Sequence, residues 1–228
     1  MCGRYTLHQK TQSLKDRYRL NVVPGNLRAN YNVAPGQFMP VVISEDGKQR
    51  AELMKWGLIP TWAKDPKIGY KLINARDDGI FDKPIWRNVI LKKRCLIPAD
   101  GFYEWKRHTV DGKQQKQPFY IKPKHDDLFS FAGVWDAWKD VEGLEWKTYS
   151  IITTSPNKEM KHVHDRMPVI LHKEDEASWL EPSVQSREDL EHFLQPYEDD
   201  GLEIYEVSRD VNVARNNDAK LIYPINSQ

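Results

Sequence analysis

The chain has 228 residues, 39% hydrophobic and 29% charged, with only two cysteines, Cys2 and Cys95. That profile predicts one globular domain over 1–228, excludes a disulfide framework or a four-cysteine zinc site, and holds no apolar run for a signal peptide or a membrane span. The net charge of +1 hides an imbalance, since residues 1–130 carry 24 Lys+Arg against 13 Asp+Glu and residues 131–228 carry 10 against 20. A cytoplasmic protein is expected, with a basic face for a polyanion unless folding mixes the charges.

The first element in chain order is an amphipathic helix over 11–20, with Leu14 and Tyr18 four apart. Residues rich in β-branched and aromatic side chains predict strands over 39–44, 51–56, 101–106, 117–122, 128–134 and 147–154. Asp111-Gly112 between two of them is a hairpin signal, and 140–143 marks a second turn. Helices are expected over 173–180 and 186–194, the latter capped by Ser186 with Asp189 three residues on. The acidic stretch 198–203 reads as a solvated loop. The fold class expected is α+β: a strand-rich core of mostly antiparallel, curled sheet with peripheral helices.

Cys2 directly follows Met1. If Met1 is trimmed, the first residue carries a free amine and a thiol on adjacent carbons. These groups titrate near about 7.7–8.0 and about 8.5, so each is partly nucleophilic at neutral pH. An aldehyde can form an imine with the amine, and the thiol can close on it as a five-membered thiazolidine. An internal cysteine cannot do this, because its nitrogen is in a peptide bond. By position alone, Cys2 reads as no more than a small residue near a terminus, and the rest of the chain has to argue otherwise.

Four polar clusters stand out: the 56–62 segment with Trp56 and Trp62, Asn74-Ala75-Arg76, Gly101-Phe102-Tyr103-Glu104-Trp105, and His164-Asp165-Arg166-Met167-Pro168. Glu104 between aromatics could be desolvated into a useful acid or base, or it could be an exposed strand residue between buried neighbours. His164 could move protons near neutral pH, or be a hydrogen-bonded structural histidine. Asn74 could orient an amine or a sugar hydroxyl, or satisfy a turn. Arg4, Arg76 and Arg166 suit phosphate contacts, and Trp62 and Trp105 suit stacking on bases, although most tryptophans are core. His162 and His164 lack further ligands at metal spacing, so no metal and no cofactor are expected. No Gly-x-Ser-x-Gly turn, Walker loop or dinucleotide fingerprint is present.

Taken in order, Cys2-Gly3-Arg4-Tyr5, Tyr31-Asn32-Val33-Ala34-Pro35 and the four clusters resemble the motifs of the SRAP family, the SOS-response-associated peptidase-like proteins. The resemblance covers roughly 2–171, with a weaker echo at Val207-Ser208 and Val211-Asn212. It departs at Asp78, where the family usually has glutamate. The resemblance implies abasic-site sensing in single-stranded DNA, as part of the DNA damage response, through a covalent crosslink at the N-terminal cysteine. It also implies autocatalytic removal of Met1 and a possible lyase side reaction. Family roles fall on Cys2 as nucleophile, Asn74 as a positioning group, Glu104 as proton donor and acceptor, and His164 as an aid to ring opening. Arg4, Arg76, Arg166, Trp62 and Trp105 are the expected DNA contacts, and a monomer is expected. An N-terminal-nucleophile cysteine peptidase or amidase, or a non-catalytic single-strand binder, remains open on the residues alone.

Overall fold

The computed structural model describes residues 2–25 and 27–225. From the N-terminus, β1 (Arg4–Leu7), α1 (Thr11–Tyr18), β2 (Asn30–Val33), β3 (Phe38–Glu45), β4 (Lys48–Trp56) and β5 (Asn74–Arg76) lead to α2 (Arg87–Lys92) and β6 (Arg94–Ala99). The long strands β7 (Gly101–Val110), β8 (Lys113–Pro123), β9 (Phe129–Lys139) and β10 (Glu145–Thr154) follow. The short β11 (Met167–Pro168) and β12 (Ile170–Leu171), then α3 (Glu176–Leu180), α4 (Arg187–Glu191) and β13 (Leu202–Glu206), complete the order.

Tight turns set the hairpins. Asp111 and Gly112 both have positive φ, 49° and 71°, the geometry whose twist matches the flanking strands, and Val110 pairs with Lys113 across them. Asp46 and Gly47 do the same between β3 and β4, a turn the sequence reading passed over.

Strands β10, β4, β3, β6 and β9 close into a barrel, with β9 pairing back onto β10. Its seam is parallel, since β10 runs alongside both β4 and β5 in the same direction. A separate antiparallel sheet has the order β13-β8-β7-β1-β2. The α+β class and peripheral helices agree with expectation, but the single curled sheet is corrected to a barrel and a second sheet. The pairings that decide this, β1 with β7 and β4 with β10, join residues far apart in sequence, where local alternation carries no signal.

The sheets meet through aromatic side chains. Tyr5 on β1 is fully buried, packs edge-on to Trp56 and Phe131, and shares a 2.8 Å hydroxyl contact with Tyr149 on β10. Phe102 on β7 packs edge-on to Phe131 on β9. The other face of β7 rests on a smaller cluster of Tyr103, Tyr120, Val207, Val211 and Leu221. Both faces of the first part of this strand, Gly101 to Glu104, are therefore covered, a fact that decides the fate of Glu104.

Elsewhere the expected elements shift at their ends. The first helix stops at Tyr18 because Arg19 turns left-handed, with φ 51°. The helix expected over 173–180 is reduced to α3, and that over 186–194 ends in a tighter turn from His192 to Leu194. The Ser186 cap is present, its hydroxyl accepting the Asp189 N–H at 3.1 Å. The expected loop over 198–203 is corrected at its end: Leu202 and Glu203 join β13, where Leu202 is buried against the sheet. No helix among the described residues is long and apolar enough to cross a membrane.

Candidate active site

The N-terminal strand is clamped onto β7 by pairings from Arg4↔Tyr103 to Thr6↔Gly101. At Gly101 a Cβ would lie 2.0 Å from the Tyr120 hydroxyl, so only glycine lets that tyrosine pass. The Tyr120 hydroxyl reaches Thr6 Oγ1 at 2.8 Å, and Thr6 also bonds the buried Asp100 carboxylate. Asp100 further accepts the backbone N–H groups of His8 and Gln9. This closed polar network fixes the register of β1, and with it Cys2, two residues before the strand begins.

Cys2 is fully buried. Burial pushes its thiol far above the ordinary value, and the nearby Glu104 carboxylate adds to the push. Burial thus works against the partly ionised thiol expected of a free N-terminal cysteine, and Sγ donates to the Arg4 carbonyl at 3.8 Å. Any reaction at this sulfur needs a base to take that proton.

Glu104 is 2% exposed, so the reading of it as an exposed strand residue is overturned. Alternation fails because both faces of β7 are covered. Burial, the main cause, raises its carboxyl above the ordinary glutamate range, against the pull of nearby positive groups that include His164. Cys2, Glu104 and His164 thus lie within electrostatic reach of one another. The Nδ1 atom of His164 accepts the Arg166 backbone N–H at 3.1 Å, which leaves Nε2 to carry the proton in the neutral ring. The exposed Asp165 carboxylate, 2.9 Å from the same Nδ1, becomes a partner when the ring is doubly protonated.

Asn74 is buried on β5, and neither atom of its amide has a hydrogen-bond partner among the described residues. Such a group is costly unless a ligand completes it. Asn74 and Arg76 share one face of β5 because side chains two apart on a strand point the same way, and Arg76 lines the cleft described next.

An open cleft of about 1160 Å³ is lined by Arg76, Glu104, Trp105, His164 and Arg166. The structure therefore gathers five of the predicted residues at one surface, with Cys2 behind Glu104 and Asn74 deeper on the Arg76 face. Trp105 is held by its Nε1, which donates to Asn212 Oδ1 at 2.7 Å. Arg166 is buried and paired with Asp77 at 2.6 Å, while its Nε is buried with no partner among the described residues. Arg4 and Trp62 do not line this cleft. Arg4 spends Nη1 on Asn32 Oδ1 and the Val211 carbonyl, at 2.7 and 2.8 Å, and so ties β1 to the 207–225 segment. Trp62 is 66% exposed, beyond a turn whose Thr61 bonds Asp136.

Lys106, Arg107, Lys116 and Lys161 also line the cleft and were not singled out from sequence. None makes an ion pair among the described residues. Arg107 sits directly opposite Lys116, a like-charge rung that is unfavourable without an anion. The signal was available, because a two-residue turn at Asp111-Gly112 dictates that pairing. With Arg76 and Arg166 these make six cations along the cleft, of which Arg76 and Arg166 are paired with Asp78 and Asp77, so four basic side chains give the surface its positive excess. Among the described residues no group of three or more His, Cys, Asp or Glu side chains could hold a metal ion.

The family model described as SOS response associated peptidase (SRAP) matches residues 1–214, and the chain belongs to this family. It is 46% identical over 224 residues to the abasic site processing protein YoaM of Bacillus subtilis, covering 97% of both chains. It is 33% identical to the abasic site processing protein HMCES of Xenopus tropicalis, across 82% of this chain and 64% of that one. Among solved structures, a protein from Bacteroides thetaiotaomicron matches with a TM-score of 0.87 at 31% identity, covering 98% of this chain and 99% of that one.

Proposed function

We propose that this protein processes abasic sites in single-stranded DNA by forming a covalent thiazolidine crosslink through Cys2, after autocatalytic removal of Met1. Met1 itself lies outside the described residues. The observation that carries the reading is the buried Glu104, its carboxyl raised by burial above the ordinary glutamate value, set within electrostatic reach of Cys2 and His164 at the head of a basic cleft. A purely non-catalytic binder would gain nothing from burying that carboxylate, which costs stability.

The chemistry follows from the groups present. The ring-opened deoxyribose offers an aldehyde. The free Cys2 amine adds to it, and loss of one water gives an imine. The Cys2 thiol then adds across the C=N bond, its proton leaving Sγ and a proton arriving at nitrogen. Because the thiol is protonated in its buried setting, Glu104 takes and returns that proton. His164 assists ring opening, and the orphaned Asn74 amide orients the sugar or the amine. Arg166 Nε and Arg76 meet the flanking phosphates, with Lys106, Arg107, Lys116 and Lys161 extending the track. Thiol closure consumes the imine that β-elimination would need, so lyase cleavage is the side reaction. The protein acts as a cytoplasmic monomer in the DNA damage response.

The test is incubation with a single-stranded oligonucleotide carrying one abasic site. Wild type and Cys95→Ala should give a heat-stable shifted band, and Cys2→Ala should give none while still binding the strand. A Cys2→Ala protein that crosslinks as well as wild type would remove this function.

A further inference from the structure

Two adjacent aspartates divide the two cleft arginines between them, and they do so differently. Asp77 is partly buried, pairs with Arg166 at 2.6 Å and accepts the Thr154 hydroxyl at 2.8 Å. Asp78 is exposed, and its two oxygens accept Nε and Nη2 of Arg76 at 2.9 and 2.7 Å. Arg76 is itself half exposed at the cleft rim. The Arg76–Asp78 contact is the fork-to-fork geometry with which arginine takes a phosphate. The edge of the guanidinium that would grip DNA is thus already occupied by an acid of the same chain. Exposed pairs of this kind contribute little and exchange easily, whereas the Asp77–Arg166 pair is locked by burial and a second hydrogen bond.

We propose that Asp78 is a specificity-determining residue: a displaceable stand-in for a DNA phosphate on Arg76, which weakens the hold on any undamaged strand. This rests on the proposed DNA-binding function. A strand without an aldehyde must compete with Asp78 and leaves again. A strand with an abasic site is retained by the covalent bond, which no carboxylate displaces. Discrimination then lies in the chemistry, and Asp78 keeps the electrostatic background low.

The experiment is equilibrium binding of an undamaged single-stranded oligonucleotide, and in parallel a heparin fragment, to wild type, Asp78→Asn, Arg76→Ala and the double variant. Asp78→Asn should tighten both by about 2- to 5-fold at low salt. It should also steepen the salt dependence by up to about 0.7 log unit per tenfold salt. In the Arg76→Ala background the gain from the same substitution should shrink to that of removing one charge from the cleft, because the carboxylate then masks no guanidinium. Asp165→Asn removes a charge from the same cleft without touching the Arg76 hydrogen bonds, and its effect should persist in that background. An Asp78→Asn protein with wild-type affinity, or one whose gain is undiminished by Arg76→Ala, overturns the proposal. Binding to heparin but not to DNA would instead contradict the proposed function, and the Asp78 comparison would still be read on heparin.

Discussion

Glu104 and Glu176 are both buried, but they keep different company. Glu176, at the start of α3, receives Arg17 Nη2 at 2.8 Å and the Ser130 hydroxyl at 2.7 Å. Burial pulls the Arg17 pKa down, yet the hydrogen bond to Glu176 outweighs it and leaves the guanidinium above its ordinary value. That carboxylate faces a permanent cation and ties α1, α3 and β9 together. Glu104 faces groups that can gain or lose protons, Cys2 and His164, at the wall of an open cleft. A buried acid paired to a fixed charge is a structural joint. Burial raises both carboxyls, so the neighbours make the difference: an acid placed among titratable groups at a cleft wall is equipped to move protons.

The comparison breaks most visibly in kinetics. Glu104→Gln keeps the shape and removes the titrating proton, so single-turnover crosslinking should slow by about 10²–10⁴-fold, with strand binding retained. Glu176→Gln should leave the rate of folded protein unchanged. A wild-type rate for Glu104→Gln at every pH from 5.5 to 8.5 would make Glu104 structural.

Stability should show the reverse. Glu176→Gln leaves the buried Arg17 with Asp126 alone, at a cost of about 2–4 kcal/mol, or roughly 5–12 °C in Tm by calorimetry. Glu104→Gln should stabilise instead. Its folded pKa lies above the ordinary glutamate value, so the group favours the fold while protonated, at low pH. That contribution is lost as pH rises through the folded pKa. The Tm advantage of Gln over Glu at position 104 should be smallest at low pH, where the carboxyl is protonated in both states, and grow as pH rises towards 8. An advantage that shrinks with rising pH would contradict the assignment.

The smallest effects are electrostatic. Removing Lys106, Arg107, Lys116 or Lys161 singly should each lower the salt slope of strand binding by about 0.7. Unchanged slopes in all four would place the DNA elsewhere.

Much of this was legible in the sequence, for physical reasons. The Asp111-Gly112 turn announced the β7–β8 hairpin because type I′ geometry needs those residues, and Leu14 with Tyr18 announced the buried face of α1. Strand β6 was missed because all six of its residues are buried, so it lacks alternation. Strands β1, β2 and β5 are too short to show a period and exist through distant partners. The same limit hid the burial of Glu104 and Cys2, which follows from the packing of the 207–211 segment and the barrel on either side of β7. Family motifs found the residues, while only the fold shows that Arg4 braces β1, that Trp62 lies off the cleft, and that the Cys2 thiol is held protonated.

In the proposed reaction Cys2, as the first residue, closes a ring on the abasic aldehyde. Intact mass spectrometry of the adduct with a single-stranded abasic oligonucleotide tests it most directly. The expected species equals the protein without Met1 plus the oligonucleotide, less one water, with Cys2 as the modified residue in the peptide map. An adduct that retains Met1, or one mapped to a lysine of the cleft, would contradict it.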